Sequence, residues 1–327
     1  MPNISPEGFR EMAARIEAET GKYIVGQREV VRDTLIALIA GGHVLLEGVP
    51  GLGKTMLVRT LARVLELKFA RIQFTPDLMP ADIVGTKVWK ADQSGFVLEK
   101  GPVFTHILLA DEINRSPPKV QSALLECMEE RQVTIDGETH RLEAPFFVLA
   151  TQNPIDLEGT YPLPEAQMDR FLVKLSTGYV RSLELEAEIL KRRSSWRQDD
   201  PVEKIPSVTS TDTFRKLQRL VEEEVYVDDQ IFTYISRLVR STRENPYVEV
   251  GSSPRGGISL FKVSKANAAI NGRDYVIPDD VKLYAKDVLS HRMILKMEYA
   301  FEKKITPEGI VDDILSKVEV PKEITRR

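Results

Sequence analysis

The chain has 327 residues, 42% hydrophobic and 29% charged, with 45 basic against 49 acidic side chains. That length supports a large core shared between two domains, and the net charge of −4 gives no overall pull toward nucleic acid or an anionic membrane. The one cysteine, Cys127, excludes an internal disulfide and any multi-cysteine metal site, fits a reducing compartment, and reads as a small buried residue among apolar neighbours.

In chain order, the opening MPNISPEGFREMAARIEAET is polar and acidic, without the basic and then apolar pattern of a secretion signal. The longest apolar stretch, LIALIAGGHVLL at 35–46, is broken by two glycines and a histidine. It is shorter than the ~20 residues of a membrane span, so no membrane insertion is expected and the default location is the cytoplasm. Helical patterns cover 30–40, 54–65 and 120–130, the last introduced by Ser116-Pro117-Pro118, a cap and first-turn signal. Short apolar strands alternate with them: HVLLEG (43–48), FARIQF (69–74), THILLA (105–110), PFFVLAT (145–151) and FLVKLS (171–176). This alternation predicts a parallel α/β sheet. Two hairpins interrupt it. TKVWKADQSGFVLEK (86–100) turns at Gln-Ser-Gly, and QVTIDGETHRL (132–142) turns at Asp136-Gly137, a strong hairpin pair. The second lies between a helix and a sheet strand, so it projects from the domain. Past 181 the character changes: SLELEAEILKRR (182–193) is helical, SSWRQDDPVEKIPSVTS (194–210) is a polar connector, and helical periodicity runs to the end through a proline link at 275–281. The expectation is an α/β domain over 1–181 and a smaller all-helical domain over 182–327 on a short hinge.

GVPGLGKT (48–55) follows the strand HVLLE and opens a helix. It matches G-x-x-x-x-G-K-[ST] in the strand–loop–helix context that makes the pattern specific. Gly48, Val49, Pro50, Gly51, Leu52, Gly53 and Met56 are expected to bring backbone N–H groups and a helix N-terminus to the phosphates of ATP. Lys54 is expected to reach the outer phosphates, and the Thr55 hydroxyl to hold Mg²⁺. Downstream, ILLADEINR (107–115) places Asp111 and Glu112 side by side after an apolar run. Alone, the pair reads as a solvated strand-end turn or as a site that holds something, since two acids cannot enter a core without a large desolvation cost. With a phosphate loop upstream, Asp111 is expected to coordinate Mg²⁺ and Glu112 to act as general base on a water. The second acid favours hydrolysis over transfer to a bound acceptor.

GHVLLEGVPGLGKT, LLADEINRSPPKVQSALLECMEERQVTIDG, FFVLATQNP and LPEAQMDRF together resemble the MoxR family of AAA+ ATPases, over most of the first 175 residues, with magnesium-chelatase motor subunits as relatives. The resemblance implies a P-loop AAA+ sheet with a helical lid, and a homo-oligomeric ring, usually hexameric, with each nucleotide between subunits. It also implies chaperone-like work on protein clients, often von Willebrand factor A-domain proteins. Residue by residue, it makes Asn153 the sensor 1 group that orients the attacking water, where the alternative is a turn-forming Asn before Pro154. It makes Arg170 the arginine finger reaching a neighbour's γ-phosphate, with Arg115 a second candidate for a cross-interface contact. Arg255 in GSSPRGG (251–257) becomes the sensor 2 arginine aimed at the phosphates, Ser253 capping its helix, although two glycines after the arginine depart from the usual pattern. Val25, Gly26 and Gln27 occupy the place where such ATPases cradle adenine. The hairpins, with an insertion over 76–85, become elements facing the pore. The rival is a DNA-translocating motor, against which stand the acidic balance and the lack of a Lys/Arg stripe. An enhancer-binding activator is opposed by the absence of a GAFTGA loop, and a self-contained P-loop enzyme remains as a third reading.

Overall fold

Two amphipathic helices precede the first strand, α1 (Pro6–Gly21) and α2 (Arg28–Ile39). Ser5 caps α1 by accepting from the Gly8 N–H, one of the donors a helix start leaves unpaired. The chain continues through β1 (Val44–Glu47), α3 (Lys54–Val64), β2 (Phe69–Gln73), α4 (Pro80–Val84), β3 (Gly85–Lys90), β4 (Gly95–Lys100), β5 (Ile107–Asp111), α5 (Pro118–Glu130), β6 (Gln132–Ile135), β7 (Glu138–Arg141), β8 (Phe147–Gln152), α6 (Glu165–Met168) and β9 (Val173–Ser176). The second half holds α7 (Leu183–Trp196), α8 (Thr211–Glu224), α9 (Asp229–Glu244), β10 (Val248–Val250), α10 (Pro254–Ile270), α11 (Pro278–Leu289), β11 (Ile294–Leu295), α12 (Met297–Ala300) and α13 (Pro307–Lys317). The computed structural model describes residues 4–92, 94–153, 159–198, 201–300 and 304–321.

The central sheet has the order β2-β5-β8-β1-β9, and every pairing within it is parallel. Its continuous apolar runs reflect burial on both faces. Along the strands the residues alternate between two cores: Val44, Leu46, Leu109, Phe147 and Leu149 join one, while Leu45, Leu108, Ala110, Val148 and Ala150 join the other. Burying side chains of this size contributes about 1.5–3 kcal/mol each.

The first core runs on into the helical half. Phe214 of α8 meets Phe147 of β8 edge-on at 6.1 Å, and Tyr284 of α11 donates to Asp33 of α2 at 2.7 Å. The described part of the predicted connector, which leaves out 199–200, is docked: α7 extends to Trp196, the Arg63 side chain donates to the Ile205 carbonyl, and the Val208 N–H to the Val64 carbonyl. The helical half also carries a small antiparallel pair, β10 with β11. Both hairpins form as antiparallel pairs, with Gln93 of the first turn lying outside the described residues. At 132–142 the turn residues Asp136 and Gly137 adopt φ 49° and 81°, the left-handed pair of a two-residue turn. Lys87 joins the hairpins through an ion pair with Glu138 at 2.8 Å. No described helix is long and apolar enough to cross a membrane.

Candidate active site

β1 ends at Glu47 and α3 begins at Lys54, so the glycine-rich loop leaves the C-terminal edge of the sheet and delivers a helix N-terminus there. Gly53, the residue before α3, sits at φ 75°, a left-handed conformation that a side chain would make costly. Lys54 folds back onto this loop, donating to the Gly48 carbonyl at 2.5 Å and the Val49 carbonyl at 3.4 Å. Burial pulls its ammonium below the usual lysine value, with Asp111 and Glu112 pulling the other way. A cation so placed, surrounded by backbone carbonyls and two acids, is suited to exchange the carbonyls for phosphate oxygens.

Asp111 closes β5 and is buried. It accepts from Thr151 Oγ1 at 2.6 Å and from Arg71 Nη2 at 2.7 Å, so its charge is already met by a cation. Glu112, the next residue, sits at φ 56°, ψ 50°, a strained left-handed conformation for a side-chain-bearing residue. Its N–H is held by Thr151 Oγ1 at 2.8 Å. Its carboxylate accepts from Gln73 Nε2 at 2.7 Å and pairs with Arg115 Nε at 3.2 Å. The two acids therefore point to different partners. Asp111 and Thr55 supply a carboxylate and a hydroxyl, the hard oxygen donors that suit Mg²⁺ completed by phosphate oxygens. Register places Asn153 in the same place: Glu47 pairs with Gln152 and Ala110 with Ala150, so the residue after β8 emerges between the glycine-rich loop and Asp111. Asn153 is buried there.

Val25, Gln27, Pro50, Gly51, Leu52, Gly53 and Met56 line one cavity of about 310 Å³. Gln27 Nε2 donates to the Leu52 carbonyl at 2.8 Å, which fastens the N-terminal segment to the loop, and Gly26 packs against Val180. The sequence did not reveal the opposite wall, formed by Tyr23, Tyr179, Glu186, Ile189 and Trp196. Tyr23 stacks on Trp196 at 5.8 Å. An aromatic in a polar, serine-rich stretch was the available signal. An apolar and aromatic chamber beside a phosphate-binding loop can hold a planar base.

Arg170 and Arg255 are not brought to this loop. His43, just before β1, donates to the Met128 carbonyl and accepts from the Val148 N–H, and the Leu172 N–H reaches the His43 carbonyl. The Arg170 segment is thus fixed at the N-terminal edge of the sheet, roughly 16 Å of strand away from Gly48. Arg170 pairs there with Glu129 at 3.0 Å, and Arg255 pairs with the other oxygen of the same carboxylate. Within a single chain Arg255 therefore stands away from the loop, because α10 starts beside the end of α5. Ser253 does cap α10, accepting from the Arg255 N–H at 3.1 Å. The first departing glycine, Gly256, is needed where a Cβ would come within 2.0 Å of Ser252 Oγ. Arg115, the second cross-interface candidate, pairs with Glu112 of its own chain at 3.2 Å.

Residues 43–173 match the family model of the ATPase family associated with various cellular activities (AAA), and residues 240–314 match that of the AAA lid domain. The chain is 48% identical to the uncharacterized protein YeaC of Bacillus subtilis, over 96% of this chain and 97% of that one. It is 43% identical to Chaperone MoxR1 of Mycobacterium tuberculosis, over 97% and 86%. It is 28% identical to Protein MoxR of Methylorubrum extorquens, over 96% of each. A crystal structure of a candidate ATPase from Cytophaga hutchinsonii superposes with a TM-score of 0.89 at 44% identity, covering 97% of both chains.

Proposed function

Since the chain belongs to the MoxR family of AAA+ ATPases, we propose that it hydrolyses ATP in a ring, most simply a hexamer, to remodel or activate protein partners. The observation that carries this reading is the split of one hydrolytic apparatus between the two ends of the sheet. Lys54, Asp111 and Glu112 stand at one end, and Arg170 with Arg255 at the other, held on Glu129. A site containing both is assembled only between two chains, as in a ring whose subunits meet end to face.

Within such a site the residues divide the work. The backbone from Gly48 to Met56 cradles the phosphates, and Val25, Gly26 and Gln27 with the Tyr23 and Trp196 wall hold the base. Lys54 leaves the Gly48 carbonyl for the outer phosphates. Thr55 and Asp111 would hold Mg²⁺, which supplies charge neutralisation on the phosphate oxygens. Glu112, released from Gln73 and Arg115, takes a proton from the attacking water, while Asn153 orients that water. Arg170 and Arg255 of the adjoining subunit meet the charge that develops on the terminal phosphate. Taking 182–327 as the lid unit makes α7 the joint, because it lines the base cavity and also holds the Gly21 and Lys22 carbonyls through Arg192. Nucleotide state then changes the angle between the units and moves the hairpins 86–100 and 132–142, which present the client surface. Von Willebrand factor A-domain proteins are the proposed partner class.

Two experiments test this. Lys54→Ala chains and Arg170→Ala chains should each be inactive, yet regain ATP hydrolysis when mixed, since each supplies what the other lacks. No recovery would mean the site is self-contained. A Glu112→Gln protein purified with ATP and Mg²⁺ from its own cell should retain a protein client and release it in ADP. Retention of nucleic acid instead would transfer the assignment to a translocating motor.

A further inference from the structure

Glu129 is not among the groups that hydrolysis needs, yet two arginines from different halves of the chain converge on its carboxylate. Arg170 Nη2 reaches one oxygen at 3.0 Å and Arg255 Nη2 the other. The carboxylate is held below the usual range by the Arg255 hydrogen bond and the nearby Arg170 charge. These groups line a cavity of about 260 Å³ in which Arg131, Arg170, Arg255, Lys262 and Arg292 stand against two acids among the described residues, Glu129 and Asp169. Asp169 is committed elsewhere, accepting from Arg292 Nε at 2.8 Å and from Ser253 Oγ at 2.9 Å. The cavity therefore carries an excess of positive charge against which Glu129 is the remaining anion, and the buried Arg170 Nε lacks a hydrogen-bond partner among the described residues. A surplus of fork-shaped donors around one carboxylate is the chemistry of a phosphate receptor.

We propose that Glu129 is a positioning residue that stands in for phosphate: it gathers Arg170 and Arg255 into one receptor, and the terminal phosphate of the adjoining subunit's nucleotide displaces it. This inference rests on the shared-site reading above. The carboxylate keeps the two guanidinium groups from repelling each other when no nucleotide is present, and its release makes subunit association answer to the terminal phosphate. Its charge thus works against ATP-driven association. Exposed ion pairs of this kind shift an equilibrium by about 1.5- to 5-fold each.

The test follows association by sedimentation in the Glu112→Gln background with ATP and Mg²⁺, with thermal unfolding as the check on folding. Adding Glu129→Gln, which keeps shape and removes charge, should lower the protein concentration at half-assembly about three- to tenfold. The same change with ADP, which lacks the terminal phosphate, should leave it unmoved. The shift should vanish when Arg170→Ala and Arg255→Ala are added, a cycle that a merely structural role would not close. An unchanged or raised midpoint, a shift equal in ADP, or a shift that survives without the arginines would overturn the proposal. If mixed Lys54→Ala and Arg170→Ala chains still complement, only the role of Glu129 falls. If they do not, the shared site itself falls and Glu129 with it.

Discussion

The hydroxyl of Thr151 touches both acids, donating to Asp111 and accepting from the strained Glu112 N–H. Thr151→Val keeps the shape and removes that bridge, leaving a buried carboxylate oxygen and an amide unpaired. Leaving such groups unsatisfied costs about 1–3 kcal/mol each. The expected result is a loss of that order in denaturant unfolding, with slower turnover and unchanged ATP affinity, because the loop around Lys54 is untouched. Equal stability and turnover would show that the acids hold their positions without it. Glu112→Gln should bind ATP normally and lose about 10²–10⁴ in turnover, the worth of a positioned general base; near-normal turnover would remove Glu112 from that role. Lys54→Ala should instead lose nucleotide binding itself, measured by equilibrium titration with a labelled nucleotide.

At the scale of elements, α7 departs most from what the sequence conveys. None of its described residues is buried, and Leu183 and Leu190 are exposed, so its apolar spacing gives no hint that Ile189 and Trp196 line the cavity beside the glycine-rich loop. Periodicity reports burial in a chain's own core and is blind to a wall awaiting a ligand. The sheet strands were readable because burial on both faces leaves uninterrupted apolar runs, and the glycine-rich loop because phosphate binding needs fixed spacing. The hairpin at 132–142 was readable from Asp136-Gly137. The β10–β11 pair was not, being three and two residues long, and neither was the position of Arg255, which is held by Glu129, 126 positions away in the chain. Two tryptophans occur in the chain, so Trp89→Phe leaves Trp196 as a sole reporter. ATP should change its fluorescence and inorganic tripolyphosphate should not, while Trp196→Ala should weaken ATP binding by several-fold, given about 0.5–1.5 kcal/mol for an aromatic contact. An identical response to tripolyphosphate would move the base out of this cavity.

Across the whole molecule, ionisable groups buried in the sheet core and where the two halves meet set how stability answers to pH. His43 lies within the sheet core, accepting from the Val148 N–H, and burial holds it at about 4 against the ordinary 6.5. His291, which bonds the Phe171 carbonyl from the helical half, is likewise pushed far down by burial. Between pH 6.5 and about 4 the unfolded chain binds protons that the folded one refuses, so stability falls as pH drops through that window. Each group contributes up to about 1.4 kcal/mol per pH unit. Asp287, on the face of α11 toward Asp33, works in the opposite sense. Burial and the Asp33 charge raise it to about 7, so the folded chain keeps a proton the unfolded one loses, and stability declines as pH rises from the ordinary 3.8 toward 7. Burial also lowers His106 and raises Asp33, so three histidines oppose two carboxyls, and denaturant unfolding should show lower stability at pH 5 than at pH 7. Asp287→Asn removes one of the opposing contributions: its stability relative to the parent should be higher at pH 8 than at pH 5, and its acid decline steeper. A constant difference between the two proteins at both pH values would show that Asp287 titrates alike in the folded and unfolded chain.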